Sequence, residues 1–168
     1  MAKSKKNFNI AVIGTGAIGI DHIRSFQQHP AANVVALAEV SAQRGQEAAD
    51  TLGIPDLVTD YQDLLKHSDI DVNSIALPNF LHASVGIEAL RAGKHVMVDK
   101  PMATNAKDAV KLIAAYKKHR RRLMVGQNMR FFPEVQTARH LINQGKLGDV
   151  YHAKTSWSRR SGIPRIGS

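Results

Sequence analysis

The 168-residue sequence contains no cysteine, which excludes disulfide bonds and thiolate metal sites and fits a reducing compartment. It also lacks an apolar segment long enough to cross a membrane. The first residues, MAKSKKNFNIAVIG, are basic, but the apolar run that follows is too short for a secretory signal and ends at glycine. We therefore predict a cytoplasmic protein with no membrane partner and no metal site.

Acidic residues are scarce relative to basic ones, 14 against 23, and the formal net charge is +9. A dense basic cluster, KKHRRR, occupies positions 117–122. One interpretation is a nucleic-acid-binding surface. The other is the last turn of a helix, where cations are stabilised by the negative end of the helix dipole. The cluster has no interleaved aromatic residues, so we favour the helix end and predict no nucleic-acid partner.

Short β-branched runs alternate with segments of helical periodicity, which is typical of an α/β fold with a parallel sheet. The predicted strands cover residues 9–13, 33–38, 72–77, 96–98 and 123–125. The predicted helices cover residues 17–28, 42–52, 61–66 and 83–92, and two more begin after Thr104 and near Pro133. Ser41 and Asp60 are expected to cap helices, as is Thr104. Residues 150–157 are predicted to begin a new extended segment.

The sharpest local signal is the string Gly14-Thr15-Gly16-Ala17-Ile18-Gly19, which directly follows the first predicted strand and opens a helix. Gly14 permits the tight turn, Gly16 lets the backbone approach a pyrophosphate, and Gly19 lets helix and strand pack closely. Free amide groups and the positive end of the helix dipole then stabilise phosphates. The pattern predicts a Rossmann-type, doubly wound parallel sheet, with all six residues in contact with the cofactor.

Glu39 lies at the end of the second predicted strand, twenty positions beyond Gly19. A carboxylate there accepts hydrogen bonds from the adenosine ribose hydroxyls and repels a 2′-phosphate, so NAD is favoured over NADP. Ser41 and Arg44 follow closely and offer donors to a phosphate. NADP therefore stays open as an alternative cofactor.

Three further stretches carry a family resemblance. They are LPNFLHASVGIEALRAGKHVMVDKPMATN at 77–105, VGQNMRFFPEVQTARHLINQGKLGDV at 125–150 and WSRRSGIP at 157–164. Together with GTGAIG, they resemble the glucose–fructose oxidoreductase / inositol 2-dehydrogenase / MocA family in order and spacing, over nearly the whole chain. The resemblance implies an NAD(P)-dependent oxidoreductase that transfers a hydride between a nicotinamide cofactor and a sugar, polyol or inositol CH–OH group.

The resemblance also implies roles for individual residues. Lys100 matches a lysine that reaches the nicotinamide ribose and the substrate hydroxyl, so it is the expected catalytic residue. Arg130 matches an arginine on the substrate side. Asp99, also expected to bind the cofactor, replaces the family's glutamate and is shorter by one methylene, so any contact of its carboxylate is expected to shift or vanish. The other expected cofactor-binding residues are Leu77, Pro78, Asn79, His82 and Pro101, the last matching a proline often preceded by a cis bond.

Members of the family are longer than this chain, and their second half is an α/β substrate domain with an Asp-x-Gly-x-His motif that nothing here matches. We expect residues 1–126 to form the NAD(P)-binding domain. Residues 127–168 would supply a connecting loop, a helix and the first strand of an incomplete, truncated substrate domain, without turnover by this piece alone. The alternative is a non-catalytic dinucleotide-binding module, either a redox-sensing regulator or a degenerate remnant. A homo-oligomer is expected for the full-length form.

Overall fold

The computed structural model describes residues 7–156 and 158, over which six strands and six α-helices follow one another. The strands are β1 (Phe8–Ile13), β2 (Ala32–Ala38), β3 (Asp56–Val58), β4 (Val72–Ile75), β5 (His95–Val98) and β6 (Leu123–Val125). The helices are α1 (Ala17–Gln27), α2 (Ala42–Leu52), α3 (Tyr61–Lys66), α4 (His82–Arg91), α5 (Ala106–His119) and α6 (Pro133–Asn143). Trp157 and most of the stretch 157–164 quoted above lie outside the described residues.

The six strands form one parallel sheet in the order β3-β2-β1-β4-β5-β6. The order reverses between β1 and β4, which is the point where a doubly wound sheet opens a ligand crevice at its carboxyl edge. Ile13 pairs with both Ala38 and Ile75, so β1, β2 and β4 end level with one another. The predicted Rossmann-type fold is confirmed.

Both faces of the sheet are covered by helices, and alternate residues of β1 enter different cores. Ala11 and Ile13 pack in the core on the side of α3, α4 and α5, together with Leu64 and Leu112. Ile10 and Val12 pack on the side of α1 and α2 with Ile23. Since successive strand residues point to opposite faces, a strand covered on both faces reads as one continuous apolar run, as the first strand of this sequence does.

One irregularity interrupts the pairing of β1 with β2. Ile10 pairs with Val34, but the next residue, Ala11, pairs with Ala36, which leaves Val35 as an extra residue in β2. Beyond this β-bulge the register is regular up to Ile13 and Ala38. The extra residue also changes the alternation, because Val35 and Ala36 both border the core on the α3–α5 side.

The helix caps agree with two predictions and correct a third. The side chain of Ser41 accepts a hydrogen bond from the backbone of Arg44, and Asp60 does the same for Gln62. The predicted cap at Thr104 is wrong, because α5 begins one residue later and Asn105 is its N-cap. The Asn105 amide accepts from the backbone N–H of Asp108 at 2.9 Å and donates to its carboxylate at 2.8 Å. The residue three positions after Thr104 is Lys107, whose side chain has no acceptor for a second contact of this kind.

Several strand boundaries also differ from the prediction. The three-residue edge strand β3 was not predicted, and it is too short to show a period. The strand predicted over 72–77 ends at Ile75, although the backbone N–H of Ala76 still donates to Ile13. No strand forms over residues 150–156, so that prediction is wrong there. A strand needs a neighbour for its backbone hydrogen bonds, and the part of the chain that the structure describes supplies none to this segment.

The predicted helix end in the basic cluster is confirmed. Lys117, Lys118 and His119 occupy the last turn of α5, and Arg120 follows as its C-cap in the left-handed conformation, with φ of 52°. None of the helices over the described residues is both long and apolar enough to cross a bilayer.

The chain divides into two compact units, Met1–Gly126 and Gln127–Ser168. The first holds the whole sheet and helices α1–α5. The second contains a 3₁₀ turn at Asn128–Phe131 and helix α6, which has no buried residue. That the second unit begins a substrate domain stays a prediction.

Asn73 is a polar residue in the centre of the first unit. It lies on β4, is fully buried, and pairs with Ala11 on one side and Val96 on the other, both of which belong to the apolar core. Neither its amide nitrogen nor its amide oxygen has a hydrogen-bond partner among the described residues. A buried amide left unpaired in this way destabilises the folded state by about 1–3 kcal/mol.

Replacing Asn73 by valine should therefore stabilise the fold. We expect Asn73→Val to raise the free energy of unfolding by about 1 kcal/mol in urea denaturation, with an unchanged slope. The matched control is Ser74→Val, because the Ser74 hydroxyl is also buried but contacts His22 Nδ1 at 3.0 Å, and its loss should destabilise. An Asn73→Val protein no more stable than wild type would mean that the amide is paired in solution.

Candidate functional site

The glycine loop between β1 and α1 lies at the point where the strand order reverses, and two of its glycines are required by the fold. Gly14 has φ of +95°, and a Cβ added to it would lie 2.5 Å from the carbonyl oxygen of Ala76. A Cβ on Gly19 would collide with the carbonyl oxygen of Gly14. The loop, the first turn of α1 and the segment after β4 are therefore packed backbone against backbone, as the glycine spacing predicts.

Gly16 is different, because its conformation does not require glycine. It is the N-cap of α1 with φ of −66° and ψ of −179°, which any residue adopts. Among residues 7–156 no side chain caps α1, whereas Ser41, Asp60 and Asn105 cap α2, α3 and α5. The first-turn amide groups of α1 thus face the loop without a capping acceptor, next to the exposed residues Ala17 and Ile18. This end of the helix suits an anion.

Glu39 follows β2 directly and is only 4% exposed. Its Oε2 accepts two hydrogen bonds from Thr15 of the glycine loop, from the backbone N–H at 3.1 Å and from the hydroxyl at 2.7 Å. Its Oε1 accepts from the backbone N–H of Ser41 at 3.1 Å and from the Arg44 guanidinium at 2.5 Å. Glu39 therefore links the tip of β2 to the loop after β1 and to the start of α2.

These contacts keep Glu39 ionised. Burial alone would raise the pKa of the carboxyl, but the hydrogen bonds from Arg44, Thr15 and Ser41 outweigh it and lower the pKa to about 2. The hydrogen bond to Glu39 and the charge of its carboxylate raise the pKa of the Arg44 guanidinium. At neutral pH the site therefore holds a carboxylate whose charge is partly compensated by one guanidinium.

The segment after β4 contains Leu77, Pro78, Asn79 and His82. Pro78 and Asn79 are exposed, and Asn79 begins a 3₁₀ turn that leads into α4. His82 is 1% exposed, and its ring lies between the carbonyl oxygens of Pro101 and Leu77. Both ring nitrogens are thus engaged within the protein, and in this structure His82 offers neither to a ligand. A cofactor contact by the other residues of this segment stays a prediction.

The segment after β5 carries Asp99, Lys100 and Pro101. The Lys100–Pro101 peptide bond is cis, as the resemblance implies. Lys100 is exposed, and its ammonium makes no hydrogen bond to any residue that the structure describes. Asp99 is half-buried, and its backbone N–H donates to Ile75 of β4. The lysine that is expected to be catalytic is therefore available to a ligand.

His22 is a neighbour of this site that the sequence reasoning missed. It lies on α1, its Nδ1 is 3.0 Å from the Ser74 hydroxyl, and burial lowers its pKa more than the charges of Asp99 and Asp21 raise it. His22 comes three positions after Gly19, so it shares the helix face that Gly19 turns to the sheet. That spacing was the signal available in the sequence.

Arg130, predicted on the substrate side, lies in the second unit. It belongs to the 3₁₀ turn at Asn128–Phe131 and is exposed. Its carbonyl oxygen accepts a hydrogen bond from the side chain of Gln136 on α6. Its role toward a substrate stays a prediction.

Comparison with known proteins assigns the chain to a family with this fold. Residues 8–127 match the Gfo/Idh/MocA model, described as an oxidoreductase family with an NAD-binding Rossmann fold. The chain belongs to this family. The predicted resemblance is confirmed, and so, at the level of the family, is a nicotinamide dinucleotide as cofactor.

Individual members of the Gfo/Idh/MocA family match most of the chain. The uncharacterized oxidoreductase YrbE of Bacillus subtilis is 32% identical over 161 residues, which are 96% of this chain and 47% of that protein. An inositol 2-dehydrogenase of Gluconacetobacter diazotrophicus is 34% identical over 144 residues, 84% of this chain and 43% of that protein. The chain thus spans less than half the length of these relatives.

A solved structure in the family shows the same architecture. The scyllo-inositol dehydrogenase of Lactobacillus casei, with bound NAD(H) and scyllo-inositol, superposes with a TM-score of 0.81 at 28% identity. The match covers 86% of this chain and 43% of that one.

The low pKa of Glu39 predicts a pH-dependent stability. The folded pKa lies below the unfolded value near 4.5, so the stabilisation is complete above pH 4.5 and is lost as the pH falls toward 2. We expect Glu39→Gln to lower the free energy of unfolding by about 3 kcal/mol at pH 7 and by progressively less below pH 4.5. Urea denaturation between pH 7 and pH 3.5 measures this difference.

The control for that series is Glu47→Gln. Glu47 is an exposed carboxylate on α2 that accepts a hydrogen bond from the side chain of Gln43, and its replacement should change stability by less than about 0.5 kcal/mol at every pH. A Glu39→Gln deficit that stays constant from pH 7 to pH 3.5 would contradict the assigned ion pair.

Proposed function

We propose that this chain binds NAD(H) and is the cofactor-binding part of an oxidoreductase. The reaction is hydride transfer between the nicotinamide and a CH–OH group of a sugar, a polyol or an inositol. The observation that carries the proposal is the pairing of an uncapped helix start at Gly16 with a buried, ionised Glu39 that Thr15 joins to the same loop. Family membership supports the cofactor class, and the inositol dehydrogenases among the relatives support the substrate class.

The residues present fit a dinucleotide. Amide groups of the first turn of α1 would hold the diphosphate, close to Gly16, where no side chain intervenes. Glu39 would hold the adenosine ribose. The glycine loop has no room for a Cβ at positions 14 and 19. The diphosphate would therefore contact the backbone of the loop rather than its side chains.

Lys100 is the residue we assign to the chemical step. Bound nicotinamide supplies the hydride transfer. The Lys100 ammonium would donate a hydrogen bond to the reacting oxygen and hold a proton at Nζ as that oxygen changes between hydroxyl and carbonyl. Its exposure and its lack of a partner among the described residues support this role. The other acid/base group would come from the substrate half found in longer family members.

A second candidate is a dinucleotide-binding module without turnover. It fits the same observations, because an uncapped helix start and a buried carboxylate bear on nucleotide binding and not on turnover. Both candidates require NADH binding. Formation of NADH from NAD⁺ and myo-inositol by this chain, followed by absorbance, would exclude the second candidate.

Nucleotide binding is tested by substituting one glycine of the loop. Isothermal titration with NADH should give saturable binding to wild type, and Gly16→Ala should weaken it by at least about tenfold because a methyl group would stand where the diphosphate approaches. Gly16→Ala should unfold at the wild-type temperature, since the φ of Gly16 suits any residue.

The contrast variant is Gly19→Ala, which should lower the unfolding temperature because its Cβ would collide with Gly14. Wild-type protein that binds neither NADH nor NADPH would contradict the proposed function.

Arg44 controls which dinucleotide is preferred. The four hydrogen bonds from Thr15, Ser41 and Arg44 fill the four acceptor positions of the Glu39 carboxylate. A ribose hydroxyl can therefore bond to Glu39 only if one donor leaves. The Arg44 side chain is 54% exposed, so its guanidinium is the donor most readily released.

Removing that guanidinium should affect the two cofactors differently. We expect Arg44→Ala to tighten NADH binding by about threefold, because an acceptor position becomes free, and to weaken NADPH binding by about tenfold, because a phosphate partner is lost. Titration with both nucleotides gives the ratio. Arg24→Ala on α1 is the charge-matched control, since Arg24 is also exposed. Equal weakening of both nucleotides by Arg44→Ala would show only a general attraction for anions.

A further inference from the structure

A surface groove lies between α4 and α5 and has a volume of about 270 Å³. We call it the α4–α5 groove. Its apolar lining residues are Ile87, Ala114 and Ala115, and its basic ones are Arg91, Lys111, Lys118 and His119. None of the lining residues is acidic, so the α4–α5 groove combines an apolar surface with charges of one sign.

The α4–α5 groove is remote from the cofactor site. It lies at the ends of α4 and α5, which lead into the first residues of β5 and β6. The glycine loop, in contrast, follows the carboxyl end of β1. Because all strands are parallel, the two sites lie at opposite edges of the sheet. An inference about the groove therefore goes beyond the proposed function and does not rest on it.

Small residues create the shape of the α4–α5 groove. The two helices pack against each other, and a Cβ added to Gly86 would lie 3.0 Å from Cδ1 of Leu112. The helices therefore approach closely at this level. Ala114 and Ala115 carry only methyl side chains, so the surface beside Ile87 stays open to a ligand.

The helix dipoles explain part of the positive charge around the groove. Arg91 lies in the last turn of α4 and Lys118 in the last turn of α5, where cations are stabilised. Lys111 lies two turns before Lys118, beyond the reach of that effect. Among the residues that the structure describes, no carboxylate forms an ion pair with Arg91 or Lys118. These two exposed cations are therefore available to a partner.

The carboxylates closest to the lining residues in sequence are engaged elsewhere. Glu88 accepts a hydrogen bond from the Tyr61 hydroxyl at 2.8 Å. Asp108 accepts hydrogen bonds from the Asn105 amide and from the Lys111 ammonium, both at 2.8 Å. Lys111 is thus partly compensated, but the groove as a whole keeps an excess of positive charge.

We propose that the α4–α5 groove is a docking site for an acidic amphipathic helix of a partner protein. An apolar side chain of that helix would contact Ala114, and carboxylates on either side of it would pair with Lys111 and Lys118. These two lysines are seven positions apart, about 10.5 Å along α5. A partner helix that lies alongside α5 therefore reaches both with carboxylates at the same spacing, in the manner of a helix bound in a groove.

Charge and shape disfavour other occupants. A second copy of this chain, related by a two-fold axis, would bring the same cations face to face. A membrane-bound helix presents projecting apolar side chains to the bilayer, whereas the apolar residues here line a depression. Nucleic-acid phosphates would attract the cations but gain nothing from the apolar lining. An acidic amphipathic helix matches both features of the groove.

Binding is tested with a synthetic peptide and the full chain. The probe is a fluorescein-labelled, alanine-based helical peptide of about 15 residues with one leucine. It has a glutamate three positions before the leucine and another four positions after it. Fluorescence anisotropy should show saturable binding, and replacing both glutamates by glutamine, or the leucine by serine, should weaken it by at least about fivefold. Binding that neither replacement changes would overturn the proposal.

The position of the charge is tested by two matched reversals on α5. Lys118→Glu should weaken peptide binding by at least about tenfold, because a lining cation becomes a like charge. Lys117→Glu is the control, since Lys117 is an exposed neighbour in the same turn that does not line the groove. It changes the net charge equally and should weaken binding by less than about threefold. Equal weakening would show only a general attraction of a basic chain for an acidic peptide and would overturn the proposal.

The apolar contact is tested without changing charge. Ala114→Leu fills the groove and should weaken peptide binding by at least about fivefold. Ala106→Leu makes the same change at an exposed position of α5 outside the groove and should leave binding within about twofold of wild type. Unchanged binding in Ala114→Leu would contradict the assigned site.

Other classes of partner are tested with phosphatidylglycerol vesicles and a DNA duplex. If either binds the wild-type chain and loses affinity in Lys118→Glu but not in Lys117→Glu, while the peptide does not bind, the groove serves that partner and the proposal is overturned.

Discussion

The hydrogen bonds between Glu39 and Thr15 are the interaction on which the arrangement of the site depends. They join the tip of β2 to the glycine loop after β1 and bury a carboxylate that the backbone of Ser41 and the guanidinium of Arg44 keep ionised. An acid buried without such donors would be protonated or would destabilise the fold. The carboxylate that we propose for the adenosine ribose therefore also holds the glycine loop in place, and one of its donors must leave before a ribose hydroxyl can bond to it.

The sequence predicted those features whose cause lies within a few residues. Two glycines of the loop are dictated by backbone contacts that their spacing anticipates, and Ser41 caps α2 through the backbone of Arg44, three positions away. The sequence reasoning placed the N-cap of α5 at Thr104 instead of Asn105, because both residue types are good caps in isolation. It is decided by Asp108, whose carboxylate accepts a hydrogen bond from the Asn105 amide.

What the sequence did not predict depends on partners far along the chain. The motif pointed to His82 as a residue of the cofactor loop, but the carbonyl oxygens that its ring contacts belong to positions 5 and 19 residues away. His22 likewise acquires its contact with Ser74 only when α1 packs on the sheet, 52 residues from its partner. Residues 150–156 have a strand-like sequence pattern but form no strand. A strand needs a neighbouring strand to pair with, and the described residues provide none here.

The β-bulge at Val35 keeps Glu39 facing the layer of α2 although β2 has one residue more than its partner strand. If β2 had no bulge and its residues alternated strictly from Val34 onward, Glu39 would face the layer of α3, α4 and α5. With the bulge, the side chain faces α2, where a Cβ added to Gly45 would lie 3.2 Å from that of Glu39. Deleting Val35 would restore strict alternation and leave Glu39 on the side of α2, whereas deleting one residue after the bulge would turn Glu39 to the opposite face. The residue count from Ala36 to Glu39 is therefore fixed by the contacts that Glu39 makes with Thr15 and Arg44 at the end of the strand.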